Sequence, residues 1–200
     1  FIIAALIMSI VIHEIAHGYA ANWLGDPTAR LQGRLSLNPV VHIDPIGSVL
    51  VPALLFFGNA GFLFGWAKPV PYNPYNLRNA KWGEAMVAVA GPAVNVLIAI
   101  VFAVLVRLAD LLTLPAAFVE LALYIVLINV LLALFNMIPI PPLDGSKIIR
   151  PFLPFAAARA YDNFLLQVQQ FGILFTFLFV FLFINIFWQP FSVLVGPVVE

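Results

Sequence analysis

The sequence predicts an all-α polytopic membrane protein with about four full transmembrane helices, a re-entrant hairpin containing Pro and Gly, and a short β-hairpin. Two observations carry this. Of the 200 residues 64% are hydrophobic and only 9% charged, against about 25% charged in ordinary soluble domains, and mean hydropathy is +1.07. Apolar runs of the roughly 20 residues needed to cross a bilayer recur at about 1–24, 83–108, 117–138 and 164–188, with Pro and Gly concentrated between them.

The first run is entered directly at Phe1, without an initiator Met or a basic leader, as expected of a chain trimmed at its front rather than one carrying a signal peptide. Downstream, Asp26-Pro27 and Asn38-Pro39 bracket residues 28–37, whose alternation around Gly33 predicts the β-hairpin. Its exposed edge would clamp an unwound peptide by strand addition. The apolar stretch 46–64 follows Pro45 and contains Gly47, Pro52, Gly58 and Gly61. Internal Pro removes a backbone hydrogen bond and each Gly weakens helix, so this stretch is expected to enter and leave on one side. Residues 66–82, with Pro69, Pro71, Asn73, Pro74 and Asn76, read as an extended loop. The Phe-rich run 164–188 reads as lipid-facing bulk ending at Trp188. Without repeats or linkers, residues 1–200 are expected to form a single membrane-embedded domain.

Nine Lys plus Arg balance nine Asp plus Glu with no extended basic cluster, which argues against a nucleic-acid partner. The chain has no Cys, so any metal must sit on His and carboxylate ligands.

Chemistry enters in the first span as His13-Glu14-Ile15-Ala16-His17. This H-E-x-x-H pattern places two imidazoles one helical turn apart on one face, able to reach one metal ion, with a carboxylate beside them. With a third protein ligand such a site holds Zn²⁺, lowers the pKa of water towards about 7 and polarises a scissile carbonyl, while the Glu serves as general base. A charge at a helix centre in the bilayer costs about 2.5–3.5 kcal/mol, which weighs against two merely structural histidines flanking Glu14. For the third ligand the chain offers Asp44, Glu84, Asp110, Glu120, Asp144 and Asp162. Asp144 stands out because it follows Asn136-Met137-Ile138-Pro139-Ile140-Pro141-Pro142-Leu143. There prolines unwind the helix end, and broken backbone at membrane depth is tolerated only where it lines protein or a wet cavity.

His13-Glu14-Ile15-Ala16-His17 together with Leu143-Asp144-Gly145 resembles the site-2 protease family of intramembrane zinc metalloproteases. Gly91-Pro92-Ala93-Val94-Asn95 is similar to that family's small-residue motif, and Asn136-x-x-Pro139 to the segment leading into its Asp. The resemblance runs from residue 13 to about 150 and fits the minimal members, with no PDZ or CBS module visible. It implies one Zn²⁺ held by His13, His17 and Asp144, Glu14 as catalytic base, and Asn95 and Asn136 near the substrate backbone or the developing oxyanion. It further implies cleavage of single-span membrane-protein substrates in or near the bilayer.

A zinc shared by the first and third full spans requires their C-terminal halves to lie on one side of the midplane. That excludes a crossing at 46–64. With that hairpin, Arg30, Arg34, Lys68, Arg78, Lys81, Lys147, Arg150 and Arg159 fall on the ligand side and only Arg107 on the other, so the ligand side is expected to face the cytoplasm. His42 and Asp44, just before the hairpin, read as a turn-stabilising pair. Two rival readings use the same residues: a zinc transporter, disfavoured by a single ligand set and an idle Glu14, and a non-catalytic scaffold for single-span proteins, which has no use for the costly set.

Overall fold

The computed structural model describes residues 1–58, 65–168 and 170. The chain divides into two compact units, Phe1–Pro151 and Phe152–Glu200. In the second, residues 155–168 are helical, and most of the expected span 164–188 lies outside the described residues. Among the described residues three helices are long and apolar enough to cross a membrane: α1 (Ile2–Trp23), α4 (Gly83–Arg107) and α5 (Ala116–Asn136). Short elements intervene: α2 (Thr28–Leu31), α3 (Val51–Phe57) and α6 (Gly145–Ile149).

The long helices are apolar nearly all round, the signature of helices solvated by lipid. Ile3, Ile7, Leu97, Ile100 and Leu134 project outward, while Ala21, Ala85, Val87, Ala88, Ala122 and Ala133 are buried. Burying mainly Ala, Gly and Val lets helices approach closely where no hydrophobic force drives them together. Helix α4 packs against both α1 and α5. Ascending α1, Ser9, His13 and His17 meet partners that descend α4, Asn95 then Val87, whereas Asn129 of α5 lies beside Ser9 and Asp144 beside His17. So α1 and α5 run parallel and α4 antiparallel to both.

The segment 28–37 corrects the β-hairpin expectation, since no strand occurs among the described residues. Asp26 accepts hydrogen bonds from the Thr28 amide and hydroxyl and so starts α2. Gly33, at φ 65°, ends it, with the Gly33 and Arg34 amides bonding back to the Arg30 and Ala29 carbonyls. This is a Schellman cap. The glycine that reads as a hairpin turn is a helix stop, and the strand-addition clamp built on the hairpin falls with it. The same cap ends α1 at Gly25, φ 112°, with the Gly25 and Asp26 amides on the Asn22 and Ala21 carbonyls.

The stretch from 45 onward is broken as its composition requires: a wide helical turn over Pro45–Leu50, then α3, which ends at Gly58. Asp44 starts it by accepting from the Ile46 and Gly47 amides at 3.0 and 2.6 Å. The chain then comes back on itself, because the Trp66 amide donates to the Gly47 carbonyl at 3.1 Å and Ser48 Oγ to the Trp66 carbonyl at 2.8 Å. Both ends of the segment therefore lie side by side.

The loop from 66 to 76 is pinned along its length. Arg34 donates to the Lys68 and Pro69 carbonyls, and the Lys68 amide donates to the His42 carbonyl. Asp26, with no exposed surface, is the main anchor. Its Oδ1 also accepts from the Asn76 amide group at 2.8 Å, and Oδ2 accepts from the Asn73 backbone amide at 2.6 Å. Burial pushes the Asp26 carboxyl up, but these hydrogen bonds outweigh it and hold its pKa below the ordinary 3.8. A depressed carboxylate pKa stabilises the fold above the unfolded value and loses that contribution as pH falls through the folded one. Thermal unfolding in detergent between about pH 6 and 3 should therefore show an acid-dependent loss of stability that is reduced in Asp26→Asn. At neutral pH that variant, which places an NH₂ where one acceptor stood, should already be weaker by about 1–3 kcal/mol; identical pH profiles would contradict the anchor.

Candidate metal centre

Helical spacing puts His13 and His17 on the buried face of α1, 5% and 9% exposed, with Glu14 half-buried beside them. After α5 the proline-rich turn carries the chain back, and Asp144 reaches both rings. His13 Nε2 lies 3.0 Å from His17 Nε2 and 3.1 Å from Asp144 Oδ2, and His17 Nε2 lies 3.3 Å from the same oxygen. Glu14 is also within 4.8 Å of the two rings, but its Oε2 accepts from the Val70 amide at 2.9 Å, and the closer approach belongs to Asp144.

Each ring is held by its other nitrogen. His17 Nδ1 faces the Val87 carbonyl at 2.8 Å, which can only accept, so that nitrogen carries the proton and Nε2 the lone pair. His13 Nδ1 faces Asn95 Oδ1 at 2.5 Å. Two lone pairs and a carboxylate oxygen thus converge on one point, an arrangement that is repulsive until a positive charge lies between them. Atoms about 2.0–2.1 Å from a tetrahedral zinc stand roughly 3.3 Å apart. The observed 3.0–3.3 Å edges and the donor chemistry fit that ion.

Room for the triangle comes from α4. A Cβ on Gly91 would meet His17 Nε2 at 2.4 Å and His13 Cε1 at 2.6 Å, so only glycine lets the helix back up against the rings. Beyond Asp144, Lys147 lies over the Tyr72 ring at 5.1 Å, and Tyr72 donates to Glu84 at 3.4 Å. Burial pulls the Lys147 ammonium down, but Tyr72, Asp144 and Glu84 outweigh it and keep the group charged.

Of the site residues read from sequence, His13, Glu14, His17 and Asp144 come together. Asn136 is half-buried, and its amide donates to the Leu132 carbonyl of its own helix at 2.9 Å. Asn95 differs from the expectation of a substrate contact. It has no exposed surface and sits beneath His13, with its amide group donating to Asn129 Oδ1 at 2.7 Å, and so has no face to offer a substrate. His42 is buried with Nε2 on the Ser36 carbonyl at 2.9 Å. The sequence reading missed the Val87 carbonyl and the Val70 amide, which no side-chain pattern announces. It also missed Asn129 and Ser9, although an Asn inside an apolar span is itself a signal.

A model of peptidase family M50 matches residues 112–184. The chain is 38% identical over 161 residues to "Putative zinc metalloprotease YwhC" of Bacillus subtilis (strain 168), covering 77% of this chain and 69% of that one. It is 30% identical over 174 residues to "Putative zinc metalloprotease Rip2" of Mycolicibacterium smegmatis, covering 86% and 63%. With "Putative zinc metalloprotease Rip3" of Mycobacterium tuberculosis the identity is 29% over 149 residues, only 30% of that longer protein. No solved structure matches. A multi-pass membrane chain with an H-E-x-x-H helix, a facing Asp and these relatives belongs to peptidase family M50, the site-2 protease family of zinc metalloproteases.

Proposed function

We propose that this chain hydrolyses peptide bonds of single-span membrane proteins in or near their transmembrane segments, with His13, His17 and Asp144 holding one Zn²⁺ and Glu14 as general base. The observation that carries the reading is the convergence of His13 Nε2, His17 Nε2 and Asp144 Oδ2 at 3.0–3.3 Å, with each Nδ1 committed elsewhere. A bound zinc supplies Lewis acidity to water and to the scissile carbonyl. Glu14 takes the proton of the attacking water and returns it to the departing amine. The Val70 amide on its Oε2 fixes the carboxylate's direction and leaves Oε1 to meet water. Lys147, three residues past Asp144, adds positive charge beside the site. Asn136 retains one amide hydrogen and its Oδ1 for the backbone of an unwound substrate.

A helical peptide bond is shielded by its own hydrogen bonds, so the substrate must unwind where water reaches. The Gly47–Trp66 pairing, with Ile46, Val49, Leu50, Leu54, Phe56 and Phe57 exposed, supports a re-entrant hairpin dipping into the lipid. With that topology seven of the eight Lys and Arg within residues 1–151 lie on the site's side, which supports a site open to the cytoplasm. A transporter reading gives no role to the directed Glu14.

Purified protein in detergent should cleave single-span model substrates in a zinc-dependent way, and Glu14→Gln should retain zinc while losing about 10²–10⁴-fold in rate. Equal inactivity of both at full zinc content would favour a scaffold. In Gly91→Ala the added Cβ collides with both rings, so zinc content should fall below one per chain, while unchanged stoichiometric zinc would contradict the ligand assignment. For orientation, single cysteines at exposed positions 81 and 111 can be labelled in intact cells with an impermeant maleimide. Leu111→Cys should react and Lys81→Cys should not; the reverse pattern would invert the topology.

A further inference from the structure

Behind His13 a chain of side-chain hydrogen bonds crosses the bundle and leaves the site altogether. Asn95 Oδ1 faces His13 Nδ1, Asn95 Nδ2 donates to Asn129 Oδ1, and Asn129 Nδ2 donates to Ser9 Oγ at 3.0 Å and to the Ile125 carbonyl at 2.8 Å. Asn95 and Asn129 have no exposed surface and Ser9 is 5% exposed. Three polar side chains are thus held at membrane depth by helices whose other buried residues are mostly small and apolar.

Each amide could in principle point either way, but the far end removes the choice. The Ile125 carbonyl belongs to the backbone of α5 and has no proton to give. Asn129 must therefore turn its NH₂ towards Ile125, since flipping it would set two carbonyl oxygens 2.8 Å apart. Its Oδ1 then faces Asn95 and needs a donor, which turns the Asn95 NH₂ towards it. Asn95 Oδ1 is left facing His13 and can only accept, so His13 carries its proton on Nδ1. Its Nε2 is then the nitrogen left facing His17 and Asp144, with a lone pair whenever the ring is neutral.

We infer that Asn129 is a positioning residue: through Asn95 it transmits the polarity of the Ile125 carbonyl to His13 and selects the one neutral tautomer that can ligate zinc at Nε2. Ser9 completes the hydrogen bonding of Asn129 but does not set its direction, because Ile125 alone does so. His17 reaches the same end by a shorter route, with the Val87 carbonyl acting directly on Nδ1. The two ligating histidines are thus preset by backbone carbonyls of two different helices, one at first hand and one through two amides. This inference rests on the zinc-ligand reading only for its consequence; the tautomer itself is a property of the metal-free chain.

The chain contains only three histidines, so ¹⁵N-histidine labelling gives a spectrum simple enough to assign with His13→Gln, His17→Gln and His42→Gln. In zinc-free wild type, at a pH where the spectra report neutral rings, His13 should show the Nδ1–H pattern, with His17 as an internal reference. Asn129→Leu, close in size and apolar, should give His13 a mixture of tautomers, leave His17 unchanged, and weaken zinc binding by about 10–100-fold. Ser9→Ala, which deletes a hydrogen bond of the same network without touching its polarity, should keep both the tautomer and the zinc affinity. A role in packing alone would make Ser9→Ala and Asn129→Leu act alike. An Nε2–H His13 in the zinc-free wild type overturns the relay, and that measurement needs no variant to fold. So does an Asn129→Leu protein with wild-type tautomer and wild-type zinc affinity. If wild type kept the Nδ1–H tautomer yet bound no zinc, the relay would stand and the ligand reading would fail.

Discussion

Two imidazole nitrogens and a carboxylate oxygen facing one another at 3.0–3.3 Å inside an apolar bundle set terms that the rest of the chain has to meet. Such a cluster needs a cation, and it needs three segments far apart in sequence to arrive at one depth in the bilayer. That demands α1 and α5 parallel, with α4 antiparallel between them, which forbids an odd crossing between α1 and α4. The segment after Pro45 satisfies this by returning until Trp66 pairs with Gly47. Its prolines and glycines are therefore a topological requirement as much as a local one. The cluster also demands that α4 carry no side chain at position 91, where a Cβ would stand 2.4 Å from His17 Nε2.

The loop side is held by a different physics. Here water is present and the backbone is irregular, so its polar groups must be satisfied one by one. Asp26 anchors the Asn73 and Asn76 end of the loop, Arg34 holds the Lys68 and Pro69 carbonyls, and the Val70 amide between them is delivered to Glu14. An ionised, hydrogen-bonded carboxylate 44 positions before Val70 in the chain thus helps aim Glu14, the proposed general base, which precedes it on α1. Protonation of Asp26 would loosen the loop and with it the direction of Glu14.

What could be read from the sequence divides along the same line. The long apolar helices, the H-E-x-x-H face and Asp144 on its proline-broken turn follow from composition, the 3.6-residue period and the cost of charge in lipid, all of which act locally. Gly33 shows the limit: a glycine between polar flanks fits a hairpin turn or a helix stop equally well, and the choice was made by Asp26 capping Thr28 and by the Arg34 amide returning to Ala29. Asn95 shows another. Its place in a motif near the site was legible, but which of its faces was spent could not be, because that depended on Asn129, a residue 34 positions away.

The pairing of Asn95 with Asn129 also bears on why the site keeps amides there at all. In lipid an interhelical amide pair contributes only about 0.6 kcal/mol on average, because the separated helices also find partners, so stability alone is a weak reason to place two of them at zero exposure. An apolar pair would pack as well. It would, however, leave His13 Nδ1 without an acceptor, and a neutral imidazole with no partner on Nδ1 is free to place its proton on Nε2, the atom proposed to hold zinc. The backbone could have served directly, as Val87 does for His17, but one helical turn further along α4 lies Gly91 and then Pro92, where the chain is committed to making room for the rings. Asn95 is the next residue on that face of α4, and a carbonyl carried on a side chain restores at His13 what the backbone provides at His17.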